Sequence, residues 1–179
     1  GNAMWDTPET PFPAQTIEDI ERIQSRQKKL AVMRAKSSAF FAGKLDHIDV
    51  DRLDEADEWR KIPILTKEQL RTLAPDRFFE DFCIGAPADV VEYWRSGGAT
   101  GRPLFYPRSG QDMRFGMEAF RRLWLAAGVG AGDLAHIAFP LGIHPVGSIY
   151  ARSAEDLGIG TVWCGAGNST PSELQVELI

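Results

Sequence analysis

A glycine-rich loop between two strand-like runs constrains the fold of this chain more than any other feature of its sequence. Residues 96–103 read Ser-Gly-Gly-Ala-Thr-Gly-Arg-Pro, with three glycines in five positions. Glycine allows backbone dihedral angles that a side chain would forbid, so several N–H groups of such a loop can point at one anion. The hydroxyls of Ser96 and Thr100 and the guanidinium of Arg102 add donors that suit phosphate. The loop therefore predicts a polyphosphate-binding site, most simply for ATP.

The residues around the loop exclude two common nucleotide-binding motifs. A Walker loop ends in Lys and Ser or Thr and opens a helix, whereas Pro103 here precedes the apolar β-type run 104–106. The Rossmann fingerprint also needs a helix directly after its glycines. The order of strand 90–94, loop and strand leaves two interpretations, an ordinary glycine hairpin and a phosphate-binding loop. The hydroxyls and the cation favour the second.

Residues 96–103 resemble the signature loop of the adenylate-forming superfamily (acyl-CoA and aryl-CoA ligases), whose usual form is Thr-Ser-Gly-Thr-Thr-Gly-Lys-Pro. The positions identical to that form are Gly98, Thr100, Gly101 and Pro103. Conservative replacements stand at Ser96 and Arg102, whereas Gly97 and Ala99 lack the usual hydroxyls. The resemblance implies that the phosphates of ATP bind to Ser96, Gly97, Gly98, Ala99, Thr100, Gly101 and Arg102.

The resemblance extends beyond the loop and is most specific to the phenylacetate–CoA ligases. A segment with the sequence Ala-Phe-Pro-Leu-Gly-Ile-His falls where those ligases line their carboxylate pocket. The resemblance therefore implies that Phe139 and His144 contact the acyl group. The segments that follow the order of the family are 62–70, 138–144, 155–158 and 167–175, so that the similarity covers roughly residues 16–179.

The resemblance implies ATP-dependent activation of a carboxylic acid, here an aromatic one. The carboxylate would attack the α-phosphate of ATP, giving an acyl-adenylate, and the thiolate of coenzyme A would then displace AMP. We expect ATP, Mg²⁺ and CoA as cofactors and a small carboxylic acid as the partner. The catalytic Lys and the ribose-binding Asp of the family lie downstream, so the catalytic residues of this chain stay unknown and no metal ligand is predicted.

Two other classes of function stay open. One is an adenylate-forming or adenylate-binding relative that does not use CoA, which the missing loop hydroxyls favour slightly. The other is a non-enzymatic binding module built on a truncated version of the fold. Release of pyrophosphate that depends on the acid separates an enzyme from a module, and formation of a thioester separates the two kinds of enzyme.

Composition and charge limit the partners and the compartment that we expect for this protein. The net charge of −5 argues against nucleic acid or an anionic membrane as a partner. Two cysteines, Cys83 and Cys164, without a C-x-x-C motif, argue against disulfides and zinc and favour a cytoplasmic setting. No apolar run approaches the ~20 residues that span a bilayer. We therefore expect a cytoplasmic protein, with a homodimer as its one candidate assembly.

The expected fold class is α/β, the N-terminal part of an adenylate-forming large domain, in which a helical lead segment precedes strand–helix units. Residues 1–15 are interpreted as a tag remnant and a Pro-rich lead, 16–80 as the helical segment, and 81–179 as a nucleotide-binding α/β segment that looks truncated at its C-terminus. Strand–helix–strand order with short connections predicts a right-handed parallel crossover.

Local signals place the elements. Capping boxes predict helix starts at Thr16, Thr66, Ser109 and Thr170. The predicted elements are a helix from 16 to about 43, a solvated acidic face at 46–58, a short helix after 66 that ends near 75, helices at 110–125 and 146–157, and buried strands at 134–139 and 159–163. His47 and His136 are interpreted as structural or surface residues, and Cys164 as a thiol without a basic partner.

Overall fold

The computed structural model describes residues 14–96 and 104–178. Within them the chain divides after Ile84 into two compact units. The predicted boundary between 80 and 81 stays a prediction. In the first unit the helices are α1 (Ile17–Lys36), α2 (Ala56–Trp59), α3 (Lys67–Arg71) and α4 (Phe78–Phe82). In the second unit the elements are β1 (Val90–Arg95), β2 (Phe105–Ser109), α5 (Gly110–Ala126), β3 (Leu134–Ile137), α6 (Pro145–Asp156), β4 (Gly160–Trp163) and α7 (Ser172–Glu177).

Helix α1 begins where its capping box predicts but ends earlier than expected. The Thr16 hydroxyl accepts the Asp19 N–H at 3.1 Å, and the Asp19 carboxylate accepts the Thr16 N–H at 3.1 Å. The predicted end near Gly43 is wrong, because α1 stops at Lys36. Ser38, just beyond it, donates its hydroxyl to the Phe82 carbonyl at 2.8 Å. This bond to α4 favours the end of the helix over its continuation by a further helical turn.

The first unit packs around one small apolar core, and a carboxylate lies inside it. Its buried residues are Val32, Leu45, Ile48 and Leu53. Glu58 is 1 % exposed, so the prediction of a solvated face is wrong at this position. Its carboxylate accepts the Asp49 N–H at 2.9 Å and the Lys61 ammonium at 2.6 Å. These hydrogen bonds, that of Lys61 first, hold the pKa of Glu58 below its usual range.

Because the pKa of Glu58 is lowered by folding, its ionisation stabilises the folded state fully above about pH 4.3, the ordinary pKa of a glutamate. This contribution is lost as the pH falls further, through the lowered value. We expect Glu58→Gln to flatten the acid end of the stability profile, measured by urea unfolding between neutral pH and about pH 3.5. Asp57→Asn, one residue away but with an exposed side chain, should keep the wild-type slope. An unchanged slope in Glu58→Gln would contradict the assignment.

The described residues of the second unit form two separate two-stranded sheets. Strands β1 and β2 pair antiparallel, with Trp94 opposite Tyr106. Strands β3 and β4 pair parallel, with His136 opposite Val162. Helix α6 lies between β3 and β4 in the chain, so the predicted strand–helix–strand unit with parallel strands is confirmed.

Helix α6 packs on the parallel pair through small and branched side chains. The buried cluster is formed by Ala135, Ile137, Ala151, Ala154 and Ile159. Helix α5 joins it, since the Trp124 indole N–H lies 3.1 Å from the buried Ser153 hydroxyl. Small side chains on α6 let the helix and the preceding loop approach closely.

Three features of the second unit differ from the sequence prediction. Strand β3 stops at Ile137, so Phe139 lies beyond the strand in the connection to α6. Leu134, predicted to be buried, is 62 % exposed. The predicted capping box of the last helix is wrong, because Pro171 is the N-cap and makes no side-chain bond. The Thr170 hydroxyl donates to the Cys164 carbonyl at 2.7 Å instead.

Candidate functional site

Ser96 closes the neck of the glycine-rich loop. Its N–H donates to the Leu104 carbonyl at 2.8 Å, and its hydroxyl accepts the Leu104 N–H at 2.9 Å. The Ser96 oxygen is the acceptor in that second bond, which therefore does not use the hydroxyl hydrogen. The other predicted phosphate-binding residues, Gly97, Gly98, Ala99, Thr100, Gly101 and Arg102, lie outside the described residues.

The connection from β3 to α6 lies against the end of β1. His144 is the N-cap of α6, and Pro145 occupies the first helical position, where a missing N–H costs nothing. The Arg95 N–H donates to the Ile143 carbonyl at 3.0 Å. This backbone bond joins the residue before Ser96 to the residue before His144, and so brings the two predicted site residues together.

Ser96 and His144 line one cavity of about 650 Å³ in the second unit. Its other walls come from the hairpin β1–β2 and from the prolines and Val146 around the start of α6. The hairpin residues that line it are Trp94, Arg95, Ser96, Tyr106 and Arg108. A cavity of this size is typical of small-molecule sites.

The lining of the cavity is cationic and aromatic. Arg95, Arg108 and His144 contribute basic groups, and none of the described residues that line it is a carboxylate. The Arg108 guanidinium lies over the Trp94 ring, with its carbon 4.1 Å from the ring centroid. The Trp94 indole N–H donates to Glu92 at 2.7 Å, and Glu92 forms an ion pair with Arg152. Such a lining suits an anion attached to an aromatic or apolar body.

Phe139 does not line this cavity. Its ring stacks on Tyr150 of α6 at a centroid distance of 5.3 Å and an interplanar angle of 8°. It is nevertheless 47 % exposed, more than a core residue would be. The predicted contact of Phe139 with an acyl group stays a prediction, and its observed contact is with Tyr150 of α6.

A hydrogen-bonded group that sequence reasoning missed lies at the carboxyl ends of β3 and β4. The Cys164 sulfur is 3.8 Å from Nδ1 of His136, so the interpretation of Cys164 as a thiol without a basic partner is wrong. His136 Nε2 lies 3.0 Å from the Gln175 amide oxygen, while the Gln175 amide nitrogen donates to the Thr170 carbonyl. The Gln175 amide oxygen can only accept, so Nε2 of His136 is the donor in that bond. Parallel pairing of the two strands is the signal that would have placed these residues together.

The described residues do not form a metal centre. Among residues 14–96 and 104–178, no group of three or more His, Cys, Asp or Glu side chains is arranged to hold a metal ion. In the same part of the chain, no helix has both the length and the apolar character needed to cross a membrane.

Comparison with known proteins connects this geometry to a superfamily. No protein-family model matches the chain. Phenylacetate-coenzyme A ligase of Escherichia coli (strain K12) is 26 % identical over 172 residues, which cover 94 % of this chain and 38 % of that protein. The chain therefore spans less than two-fifths of the length of this relative.

Solved structures of 2-hydroxyisobutyryl-CoA ligase share the fold. An open conformation in complex with 2-HIB-AMP and CoA superposes with a TM-score of 0.75 at 18 % identity, over 88 % of this chain and 37 % of that one. The thioesterification state gives a TM-score of 0.75 at 19 % identity, over 88 % and 34 %. The chain is thus a distant relative of phenylacetate-CoA ligase in the superfamily of adenylate-forming CoA ligases, and it covers an N-terminal portion of such a protein.

Proposed function

We propose that this protein activates an aromatic carboxylic acid with ATP and transfers the acyl group to coenzyme A. The observation that carries the proposal is the cationic cavity in which Ser96, at the neck of the glycine-rich loop, and His144, at the start of α6, lie together. Kinship with phenylacetate-CoA ligase supports the same reaction class.

The reaction has two steps, and the same carboxyl group of the substrate reacts in both. A carboxylate oxygen attacks the α-phosphorus of ATP, the bond to the bridging oxygen breaks, and pyrophosphate leaves. The CoA thiolate then attacks the acyl carbonyl, and AMP leaves with the electron pair of the acyl–oxygen bond. Much of the rate of such transfers comes from positioning and from donors aimed at developing charge.

The chain supplies groups for both reactants of the first step. Ser96, Thr100 and Arg102, with the backbone N–H groups between them, would hold the β- and γ-phosphates of ATP. Arg95 adds a fixed positive charge at the same end of the cavity. His144 and Phe139 would shape the space for the acyl group, His144 from inside the cavity and Phe139 through its stacking on α6.

Mg²⁺ enters the proposal only as the ion that ATP brings on its phosphates. The described residues that line the cavity include two arginines and a histidine but no carboxylate, and this donor set does not fit a protein-held Mg²⁺. No step is therefore assigned to a metal bound by these residues. A cytoplasmic location and a homodimer stay predictions.

Two substitutions in the complete protein test the phosphate-binding role of the loop. Arg102→Ala and Thr100→Val each remove one donor, and loss of a charge-assisted contact costs about 1.5–3 kcal/mol. We expect ATP–pyrophosphate exchange to fall about ten- to a hundredfold in Arg102→Ala, and less in Thr100→Val, because a neutral donor is weaker. Arg60→Ala, which removes an exposed arginine of the first unit, is the matched control. Unchanged exchange in both loop variants would contradict the proposal.

Adding CoA to the same assay tests the second step. A thioester that forms only with ATP and the acid supports CoA transfer. Exchange without a thioester would leave the adenylate-forming half of the proposal standing and reject CoA as the acceptor. Binding of ligands without exchange would instead identify a non-enzymatic module.

A further inference from the structure

Glu92 on β1 joins an aromatic wall of the cavity to helix α6. Its carboxylate accepts the Trp94 indole N–H at 2.7 Å and also forms an ion pair with Arg152 of α6. Trp94 lines the cavity, whereas Glu92 is not among the described residues that line it. Glu92 therefore acts on the wall through Trp94 and does not line the cavity itself.

The bond to Glu92 restricts the orientation of the Trp94 ring. The indole N–H is the single polar group of a tryptophan side chain, and it can only donate. A carboxylate acceptor makes the hydrogen bond charge-assisted, and such bonds are stronger than those between neutral groups. The Glu92 side chain is 18 % exposed, so the bond is largely shielded from water, which strengthens it further. Rotation of the ring would break this bond.

A second contact holds the face of the same ring. The Arg108 guanidinium carbon lies 4.1 Å from the Trp94 ring centroid. One guanidinium nitrogen donates to the Asp112 carbonyl at 3.0 Å in the first turn of α5. Gly116 leaves room for that nitrogen, since a Cβ atom there would lie only 3.3 Å from it. The ring is thus held at its edge by Glu92 and on one face by Arg108.

The strand register brings these side chains to one face of the hairpin. Glu92 is opposite Arg108, and Trp94 is opposite Tyr106, which also lines the cavity. Glu92 pairs with Arg152 of α6, and Arg108 lies over the Trp94 ring. The ring is therefore connected to α6 through Glu92 and to α5 through Arg108.

We propose that Glu92 is a positioning residue for the acyl site, which holds the Trp94 ring in the orientation that an aromatic acid packs against. This inference rests on the proposed function, because it takes the cavity as the site of the acid. A fixed aromatic ring gives a planar aromatic ligand a stacking contact that a puckered aliphatic ring of similar size does not make. Glu92 thereby favours aromatic over alicyclic acids, although it contacts neither.

Exchange of the Trp94 indole proton with solvent tests the hold on the ring without any ligand. The chain has five tryptophans, and the indole NMR signal that disappears in Trp94→Phe is that of Trp94. We expect Glu92→Leu to accelerate this exchange at least about tenfold. Glu92→Gln, whose amide oxygen can still accept, should keep it within about threefold of the wild-type rate.

Glu155→Leu is the matched control for both measurements. Glu155 also accepts an indole N–H, that of Trp163, at 3.2 Å. Trp163 is not among the described residues that line the cavity. This variant should therefore leave the exchange of the Trp94 indole proton and the binding of acids as they are in the wild type.

Titration calorimetry with benzoate and cyclohexanecarboxylate tests the consequence for binding. The two acids have similar size and the same charge, but only benzoate is planar and aromatic. We expect the wild type to bind benzoate about three- to tenfold more tightly. In Glu92→Leu the two affinities should agree within about twofold, and Glu92→Gln should retain the wild-type preference.

Three results would overturn the inference: an unchanged preference for benzoate in Glu92→Leu, an unchanged exchange of the Trp94 indole proton in that variant, or equal affinity of the wild type for the two acids. If Glu92→Leu does not fold, Arg152→Met decides in its place, because it removes the anchor of Glu92 on α6. It should lower the preference at least about twofold, and an unchanged preference would then reject the inference. No binding of either acid to the wild type would contradict the proposed function instead, while indole exchange would still decide whether Glu92 holds Trp94.

Discussion

Replacing Gly147 by alanine is expected to lower the free energy of unfolding of the second unit by about 3 kcal/mol, as overpacking of a tight contact does. A Cβ atom at this position of α6 would lie 2.4 Å from the Pro140 carbonyl oxygen and 2.9 Å from a methyl group of Leu141. The first contact is with backbone, which cannot move aside as a flexible side chain can. The connection that carries His144 must therefore shift away from α6.

Urea unfolding followed by circular dichroism measures this loss, and Gly167→Ala is the matched control. Gly167 is exposed, and a Cβ atom there would meet nothing within 4 Å. Its replacement should change stability by less than about 0.5 kcal/mol. A Gly147→Ala protein as stable as the Gly167→Ala protein would show that helix and connection are not packed as closely as the structure has them.

Leu53→Ala is expected to destabilise the first unit by about 2–5 kcal/mol, the range for truncation of a buried leucine. Leu53 is fully buried among Val32, Leu45 and Ile48. In so small a core the neighbours can fill the resulting cavity only in part, so both transfer free energy and packing are lost.

The control for this substitution is Ile64→Ala, which removes an aliphatic side chain that is 86 % exposed. Hydrogen exchange of the amides in α1 should accelerate in Leu53→Ala and stay near the wild-type rate in Ile64→Ala. Equal protection of α1 in the two variants would contradict the assignment of Leu53 to the core.

Those parts of the fold that local chemistry decides were predictable from the sequence. The helix starts at Thr16 and Ser109 follow from capping boxes. In each box the cap hydroxyl accepts the backbone N–H of the residue three positions later, and the carboxylate of that residue accepts the backbone N–H of the cap. The parallel pair β3–β4 follows from strand–helix–strand order. Both signals are contained within a few residues or one connection.

The failures occur where a polar side chain has a distant partner. Ser38 bonds to Phe82 and Thr170 to Cys164, and these bonds displaced a helix end and a predicted cap. Glu58 is buried because Asp49 and Lys61 satisfy its carboxylate, although its acidic neighbourhood predicted exposure. Local patterns do not contain such partners.

The candidate site was predictable in part. The contact of His144 with the acyl group, expected from the family resemblance, stays a prediction, although the structure places His144 in a cavity with Ser96. Arg108 and Trp94 were not predicted as site residues, because the glycine-rich motif lies in the loop between their strands and not in the strands themselves. Alternation along β2 puts Tyr106 and Arg108 on one face, and this signal could have identified them.

The hydrogen bond from the Arg95 N–H to the Ile143 carbonyl bears on how the lining of this cavity can vary. A bond between two main-chain groups survives almost any exchange of the side chains that flank it, proline at the donor excepted. The spacing between the loop neck and the start of α6 therefore does not depend on which side chains line the cavity. Substitutions at the positions that line the cavity can then change its chemistry while the distance between the loop neck and the start of α6 stays the same. A lineage could change the lining of this cavity one side chain at a time without rebuilding the scaffold.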